Sequence, residues 1–270
     1  MKTYLDSILA AHRQTVAADD RPLEPLLARA RECEATRGFR SALERASADG
    51  DLGVIAEVKR RSPSKGAIDA DLDPAELARS YERGGATCLS VLTDVQFFGG
   101  SPDDLRAARA AVTIPVLRKD FTVSPHDVAD ARLMGADAVL LIAAALDDAE
   151  LADLHALAGE LGLAALVEVH DERELGRAVD VGASLIGVNQ RDLVTFKVDT
   201  ARAVRLAPLM PAGVVRVAES GIEGPNDARP LHDAGYHAVL VGESLVRSPN
   251  PAAAVRALNP RGASAPDPGP

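Results

Sequence analysis

One short phrase recurs along the chain. A helical stretch ends in glycine, one or two small residues follow, and an apolar run begins. It reads as GGATCLSVL, MGADAVLLI, LGLAALVEV, VGASLIGVN and AGYHAVLVG. Glycine after a helix supplies the left-handed turn that ends it and starts the loop to a strand. Adding GVIAEVK, IPVLRK and VVRVAES gives eight strand candidates, at 53–59, 86–92, 114–119, 136–142, 163–169, 184–189, 214–220 and 238–243. Apolar runs separated by amphipathic stretches imply parallel βαβ units. An open α/β sheet more often has about five to seven strands, so eight units favour closure into a (β/α)8 barrel. The length of 270 residues fits one such barrel, although length alone also permits two small domains.

The repeat covers only part of the chain. Residues 1–50 carry Tyr4, Leu5, Ile8 and Leu9 at helical spacing, then an apolar pattern from Leu23 to Leu43, with no strand signal. They are expected to be a helical extension, followed by the barrel over 51–258. The tail 259–270, NPRGASAPDPGP, is too poor in apolar residues to repay its ordering and is expected to be disordered.

Composition narrows the function. The formal net charge of −10 argues against a nucleic-acid partner, yet a local group of Lys and backbone N–H groups can still hold a small anion. The two cysteines, Cys33 and Cys88, lie in no metal-ligand spacing and are expected to be reduced thiols in a cytoplasmic protein. No apolar run approaches the roughly 20 residues of a membrane span, and the charged, amphipathic start does not read as a signal peptide. Neither a metal site nor a membrane partner is expected.

Strand side chains alternate between faces. Ile55, Glu57 and Lys59 therefore share one face, as do Leu117 with Lys119, Leu166 with Glu168, Gly187 with Asn189, and Val217 with Glu219. Each set ends in a polar or charged group at the C-terminal end of its strand, where barrel enzymes place their chemistry. Glu and Lys are depleted in strands and costly to bury unpaired. An ion pair of Glu57 with Lys59 plugging the barrel would explain one strand; five strands ending alike point to a convergent site.

The loops agree. ESGI after the seventh strand and VGES after the eighth lie where barrels often hold phosphate through backbone N–H groups. The long first loop, RRSPSKGAIDADLDP, offers Arg60, Arg61, Ser62, Ser64 and Lys65 to an anion. Phe97 and Phe98 follow the second strand and Phe121 the third, which suits an aromatic substrate. His12, His126, His155, His232 and His237 read as surface residues, and His170 as peripheral to the site.

AEVKRRSPSKG, FFGGS, PVLRKDF, LVEVHDE, IGVNQRDL, AESGI and VGESL occur in order, one per strand–helix junction. Together, over residues 1–250, they resemble the indole-3-glycerol phosphate synthases of tryptophan biosynthesis. The resemblance implies a barrel capped by its helical extension and a monomer acting on a small phosphorylated substrate, with no metal or organic cofactor. It implies closure of 1-(2-carboxyphenylamino)-1-deoxyribulose 5-phosphate to indole-3-glycerol phosphate, CO₂ and water. By position, Lys119 resembles the family's general acid; Glu57, Lys59 and Glu168 its other proton-transfer groups; and Asn189, Arg191, Glu219 and Ser220 its polar rim. Ser62, Pro63, Phe98, Phe121 and Leu193 fall at substrate-contacting positions, and Gly221, Gly242 and Glu243 at its phosphate site. Arg61 stands where Ala or Ser is common, and NQRDL where NNRNL is frequent. A Schiff-base aldolase, a related phosphate-binding barrel and a non-catalytic scaffold are the competing expectations.

Overall fold

The structure is a computed structural model that describes residues 3–62 and 66–259. Eight parallel strands close into a barrel. They are β1 (Gly53–Val58), β2 (Cys88–Leu92), β3 (Val116–Lys119), β4 (Ala138–Ile142), β5 (Ala164–Val169), β6 (Leu185–Asn189), β7 (Val215–Glu219) and β8 (Ala238–Val241). Each pairs with the next, and β8 returns to β1 through Gly53 opposite Ala238. All eight expected strands form, each shortened by one or two residues. The five glycines of the repeated phrase, Gly85, Gly135, Gly162, Gly182 and Gly235, all have positive φ, between 73 and 89°. That is the conformation an L side chain resists, so the phrase marks where each helix must stop.

Helix starts are equally local. Asp73, Ser101 and Ser124 cap α4 (Pro74–Arg83), α5 (Pro102–Ala111) and α6 (Pro125–Leu133), each with proline at the first turn. Asp147 and Asp171 cap α7 (Asp148–Glu160) and α8 (Glu172–Asp180) through their carboxylates, without a first-turn proline. A cap oxygen accepts from N–H groups that have no partner within the helix, and proline lacks the N–H that the first turn would leave unpaired. The remaining helices are α9 (Arg202–Leu206), α10 (Pro225–Asp233), α11 (Glu243–Val246) and α12 (Pro251–Leu258).

Strand parity divides the core in two. Val54, Ala56 and Val58 face outward into the layer shared with the helices. Ile55, Leu117, Leu166, Val215, Val217 and Leu240 face the barrel axis. The N-terminal extension forms α1 (Tyr4–Ala17), α2 (Leu23–Arg31) and α3 (Phe39–Ala48). Its apolar groups join both cores. Phe39 and Leu43 of α3 pack with the axial residues, and Leu43 reaches the start of β1, where a Cβ on Gly53 would lie 3.3 Å from it. Leu26 and Leu27 of α2 join the outer layer. Tyr4, Leu5 and Ile8 of α1 lie at the opposite end, over the C-terminal mouth.

The extension therefore closes the barrel at both ends. The expected tail lies outside the described residues except for Asn259. No described helix is long and apolar enough to cross a membrane. Phe39 is 1% exposed, so Phe39→Ala should cost about 3–5 kcal/mol of unfolding free energy by denaturant titration. A cost below about 1 kcal/mol would show that α3 is not part of the core.

Candidate active site

The last inward positions converge as parity requires. Glu57, Glu168, Asn189 and Glu219 are all buried, at 4, 1, 6 and 2% exposure. Lateral pairing sets them side by side: Asn189 is opposite Glu219, and Glu168 is opposite Gly187. Lys119 Nζ donates to Glu168 Oε2 at 2.9 Å and to Glu219 Oε2 at 3.0 Å. Asn189 Nδ2 donates to the other oxygen of Glu168 at 3.1 Å. Lys59 Nζ donates to Glu57 Oε1 at 2.5 Å.

Burial alone would drive the Lys119 pKa down. The carboxylates of Glu168, Glu219 and Glu57 outweigh it and hold the ammonium above its ordinary value. Burial pushes Glu219 up to about 7, against the pull of Lys119 and with the added repulsion of Glu168. Glu168 is buried as deeply but falls below the ordinary carboxylate value, because Lys119, His170 and the Asn189 hydrogen bond outweigh its desolvation. Two like carboxylates on one cation thus differ in their hold on a proton, which is the condition for dividing acid and base roles. Glu219 Oε1 is buried without a partner.

Above the cluster lies a cavity of about 830 Å³. Phe98, Phe121, Leu140, Ile142 and Leu193 give it an apolar wall, continued by Tyr4, Leu5 and Ile8 of α1. Gly221, Gly242, Glu243, Ser244 and Arg247 form another part of its lining. The pocket thus offers an aromatic face, charged groups and glycine-bearing loops to one ligand.

The individual expected residues fall as follows. Ser62 lines the cavity, and its hydroxyl is buried without a partner. Arg191 lines it while its Nη1 donates to the Phe196 carbonyl at 3.2 Å. Ser220 and Gly221 are consecutive left-handed residues, at φ 67 and 72°. A Cβ on Gly242 would lie 2.5 Å from Glu57 Oε1 and 3.0 Å from Lys59 Nζ, so this glycine is what lets the loop pass the ion pair. The Glu243 carboxylate accepts from Arg247 at 3.2 Å. Pro63, Ser64 and Lys65 lie outside the described residues.

Two expectations are corrected. Arg60 and Arg61 are not an anion site. Arg60 is bound to Asp104 and to the carbonyls of Ala70 and Leu72, and Arg61 to the carbonyls of Phe97 and Gln96. They lock the first loop instead. His12 is not a solvated surface residue: its side chain is 18% exposed, and Nε2 lies 3.0 Å from Asp94 Oδ2. His237 is also engaged, Nδ1 accepting from the Arg216 N–H at 3.0 Å. His170 does sit at the edge of the site, its Nδ1 2.9 Å from Glu174 and its Nε2 3.5 Å from Glu168.

Strand reasoning missed Tyr4, Leu5, Ile8 and Arg247. The first three were visible only as an apolar helical face of the extension expected to cap the barrel.

The fold and the mouth define an enzyme class: a (β/α)8 barrel with a buried cluster of carboxylates and ammonium groups at the C-terminal ends of its strands, beneath a cavity lined by aromatic and charged side chains. The family model of indole-3-glycerol phosphate synthase matches residues 5–258. An indole-3-glycerol phosphate synthase of Aromatoleum aromaticum is 50% identical over 260 residues, covering 96% of this chain and 99% of the relative. The chain belongs to the indole-3-glycerol phosphate synthase family. Two solved structures share the fold at low identity. Thiamine phosphate pyrophosphorylase from Pyrococcus furiosus has a TM-score of 0.59 and 17% identity, covering 77% of this chain and 93% of its own. N-acetylmannosamine-6-phosphate 2-epimerase from Clostridium perfringens has a TM-score of 0.57 and 14% identity, covering 72% and 87%.

Gly187 lies beneath the cluster, and a Cβ there would collide with Glu219 Oε1 and lie 3.2 Å from Leu166. Gly187→Ala should displace the Glu219 carboxylate and lower kcat/KM by about 100-fold or more, with the far-UV circular dichroism unchanged. Wild-type turnover in that variant would mean that the carboxylate position is unimportant.

Proposed function

We propose that this site closes and decarboxylates the phosphorylated carboxyphenylamino-deoxyribulose with Lys119 as the first general acid. The ring carbon bearing the carboxylate forms a bond to C2 of the ribulose chain, whose carbonyl electrons move to oxygen. Lys119 gives that oxygen a proton. The bond to the carboxylate then breaks, CO₂ leaves, and its electron pair restores the aromatic ring. In the second stage Lys59 protonates the departing hydroxyl, which leaves as water. Glu57, hydrogen-bonded to Lys59, takes the proton from the former C1 carbon. The sum consumes one proton and needs no electron acceptor.

The observation that carries this reading is the double clamp on Lys119. Two carboxylates at 2.9 and 3.0 Å fix its ammonium at the mouth and keep it charged, which is what an acid toward a developing alkoxide requires. Asn189 holds Glu168, and Glu219 completes the clamp. The aromatic ring packs on Phe98, Phe121 and Leu193, and Ser62, Arg191 and Ser220 position the sugar chain. The phosphate takes backbone N–H groups around Gly221, Gly242 and Glu243. Every group in this scheme comes from one chain, so a monomer suffices, and the free thiols of Cys33 and Cys88 fit a reducing compartment such as the cytoplasm. A Schiff-base role for Lys119 is disfavoured, because it needs the neutral amine.

The chain has no Trp, so indole fluorescence on adding substrate reports product alone. Lys119→Met should lower that rate by about 10²–10⁴ while the protein stays folded; full activity would refute the acid assignment. The pH profile supplies a second check. The elevated Glu219 pKa leaves it neutral at low pH, where one arm of the clamp is lost. The acid limb of kcat/KM should therefore fall with an apparent pKa near 7, belonging to the coupled cluster, and disappear in Glu219→Gln. An unchanged acid limb in Glu219→Gln would assign it elsewhere.

A further inference from the structure

His12 joins three parts of the mouth that no strand connects. It projects from α1, and its Nε2 lies 3.0 Å from Asp94 Oδ2 and 3.9 Å from Asp120 Oδ1. Both aspartates line the cavity and are about 5% exposed. Each organises a turn that carries an aromatic wall. Asp94 Oδ1 accepts from the N–H groups of Phe97 and Phe98 at 2.5 and 2.9 Å. Asp120 Oδ1 accepts from the N–H of Phe121 at 2.9 Å. The His12 ring also packs on Phe121, with centroids 5.3 Å apart.

We propose that His12 is a positioning residue for this reaction: as an imidazolium it clasps α1 to the turns after β2 and β3, and so holds Phe98 and Phe121 against the substrate's ring. The proposal rests on the reading of this cavity as the synthase site. Charge supports it. The groups facing His12 are Asp94, Asp120 and, farther off, Asp127. Arg118 Nη2 donates to Asp120 Oδ2 at 3.0 Å, and Thr93 Oγ1 donates to the same oxygen. Arg118 thus compensates one of the two nearest carboxylates, and Asp94 depends on His12 for its cation.

Burial pulls the His12 pKa down, but the Asp94 hydrogen bond and the charges of Asp120, Asp94 and Asp127 outweigh it and raise it above 6.5. A raised value means the clasp is complete below 6.5 and is lost as pH rises through the higher value of the folded state. This direction is opposite to the acid limb set by Glu219, so the two effects separate.

The test uses the full chain, with KM and kcat read by indole fluorescence from about pH 6 to about pH 9. In the wild type, KM should rise about tenfold across that interval with kcat changing far less. His12→Gln keeps an N–H donor near the position of Nε2 but cannot titrate; its KM should be flat beside the wild type. His12→Ala should show the high KM at every pH. A wild-type KM rise that persists in His12→Gln, or a wild-type KM at low pH in His12→Ala, overturns the proposal.

Hydrogen-exchange protection of residues 4–17, corrected for intrinsic exchange, gives a readout independent of turnover. It should fall with rising pH in the wild type, stay level in His12→Gln and be low in His12→Ala. If the wild type forms no product, the synthase reading fails, and His12 as a positioning residue for this reaction fails with it; the exchange data then decide whether the clasp itself exists. Protection that is the same in all three proteins would refute the clasp as well.

Discussion

Three carboxylates and two ammonium groups share the last interior layer of the barrel, and much of the molecule serves to make that tolerable. Desolvating one such charge costs several kcal/mol, so each must find a partner within the layer. The register between strands supplies the partners: Glu168 and Glu219 face Lys119 from β5 and β7, Asn189 sits between them, and Lys59 closes on Glu57. The backbone makes room where a Cβ would intrude, at Gly187 beneath Glu219 and at Gly242 beside Glu57 and Lys59. These glycines are spatial requirements of the charged layer, unlike the left-handed glycines that end the helices.

The same layer explains why two glutamates on one lysine are not equivalent. Glu168 has a second donor in Asn189 and a nearby imidazole in His170, while Glu219 has one oxygen without a partner. One extra hydrogen-bond donor and one nearby imidazole are enough to shift the two buried carboxyls in opposite directions. The lysine between them stays charged in either case, because at least one partner is ionised.

Much of this was legible in the residues. The repeated glycine phrase marked the helix ends, and alternation placed Glu57, Lys119, Glu168, Asn189 and Glu219 on the axis. These are local rules with short periods. What escaped depended on contacts between distant segments. Arg60 and Arg61 looked like an anion site because their carbonyl and Asp104 partners lie 10 to 44 residues away. His12 looked solvated because Asp94 is 82 residues on. The apolar face of α1 was evident and the extension was expected to cap the barrel, but that α1 lines the cavity at the mouth was not, since a helical period names a buried face without naming what buries it.

The most direct measurement is the protonation state of the Lys119 side chain, followed by NMR of its 13Cε and 15Nζ nuclei in the resting enzyme from about pH 7 to about pH 11. If Glu168, Glu219 and Glu57 hold the ammonium as their geometry implies, these signals stay those of a charged lysine throughout, beyond the ordinary value of 10.5. Titration at or below that value would show a neutral amine within reach, and would contradict the clamp on which the acid role depends.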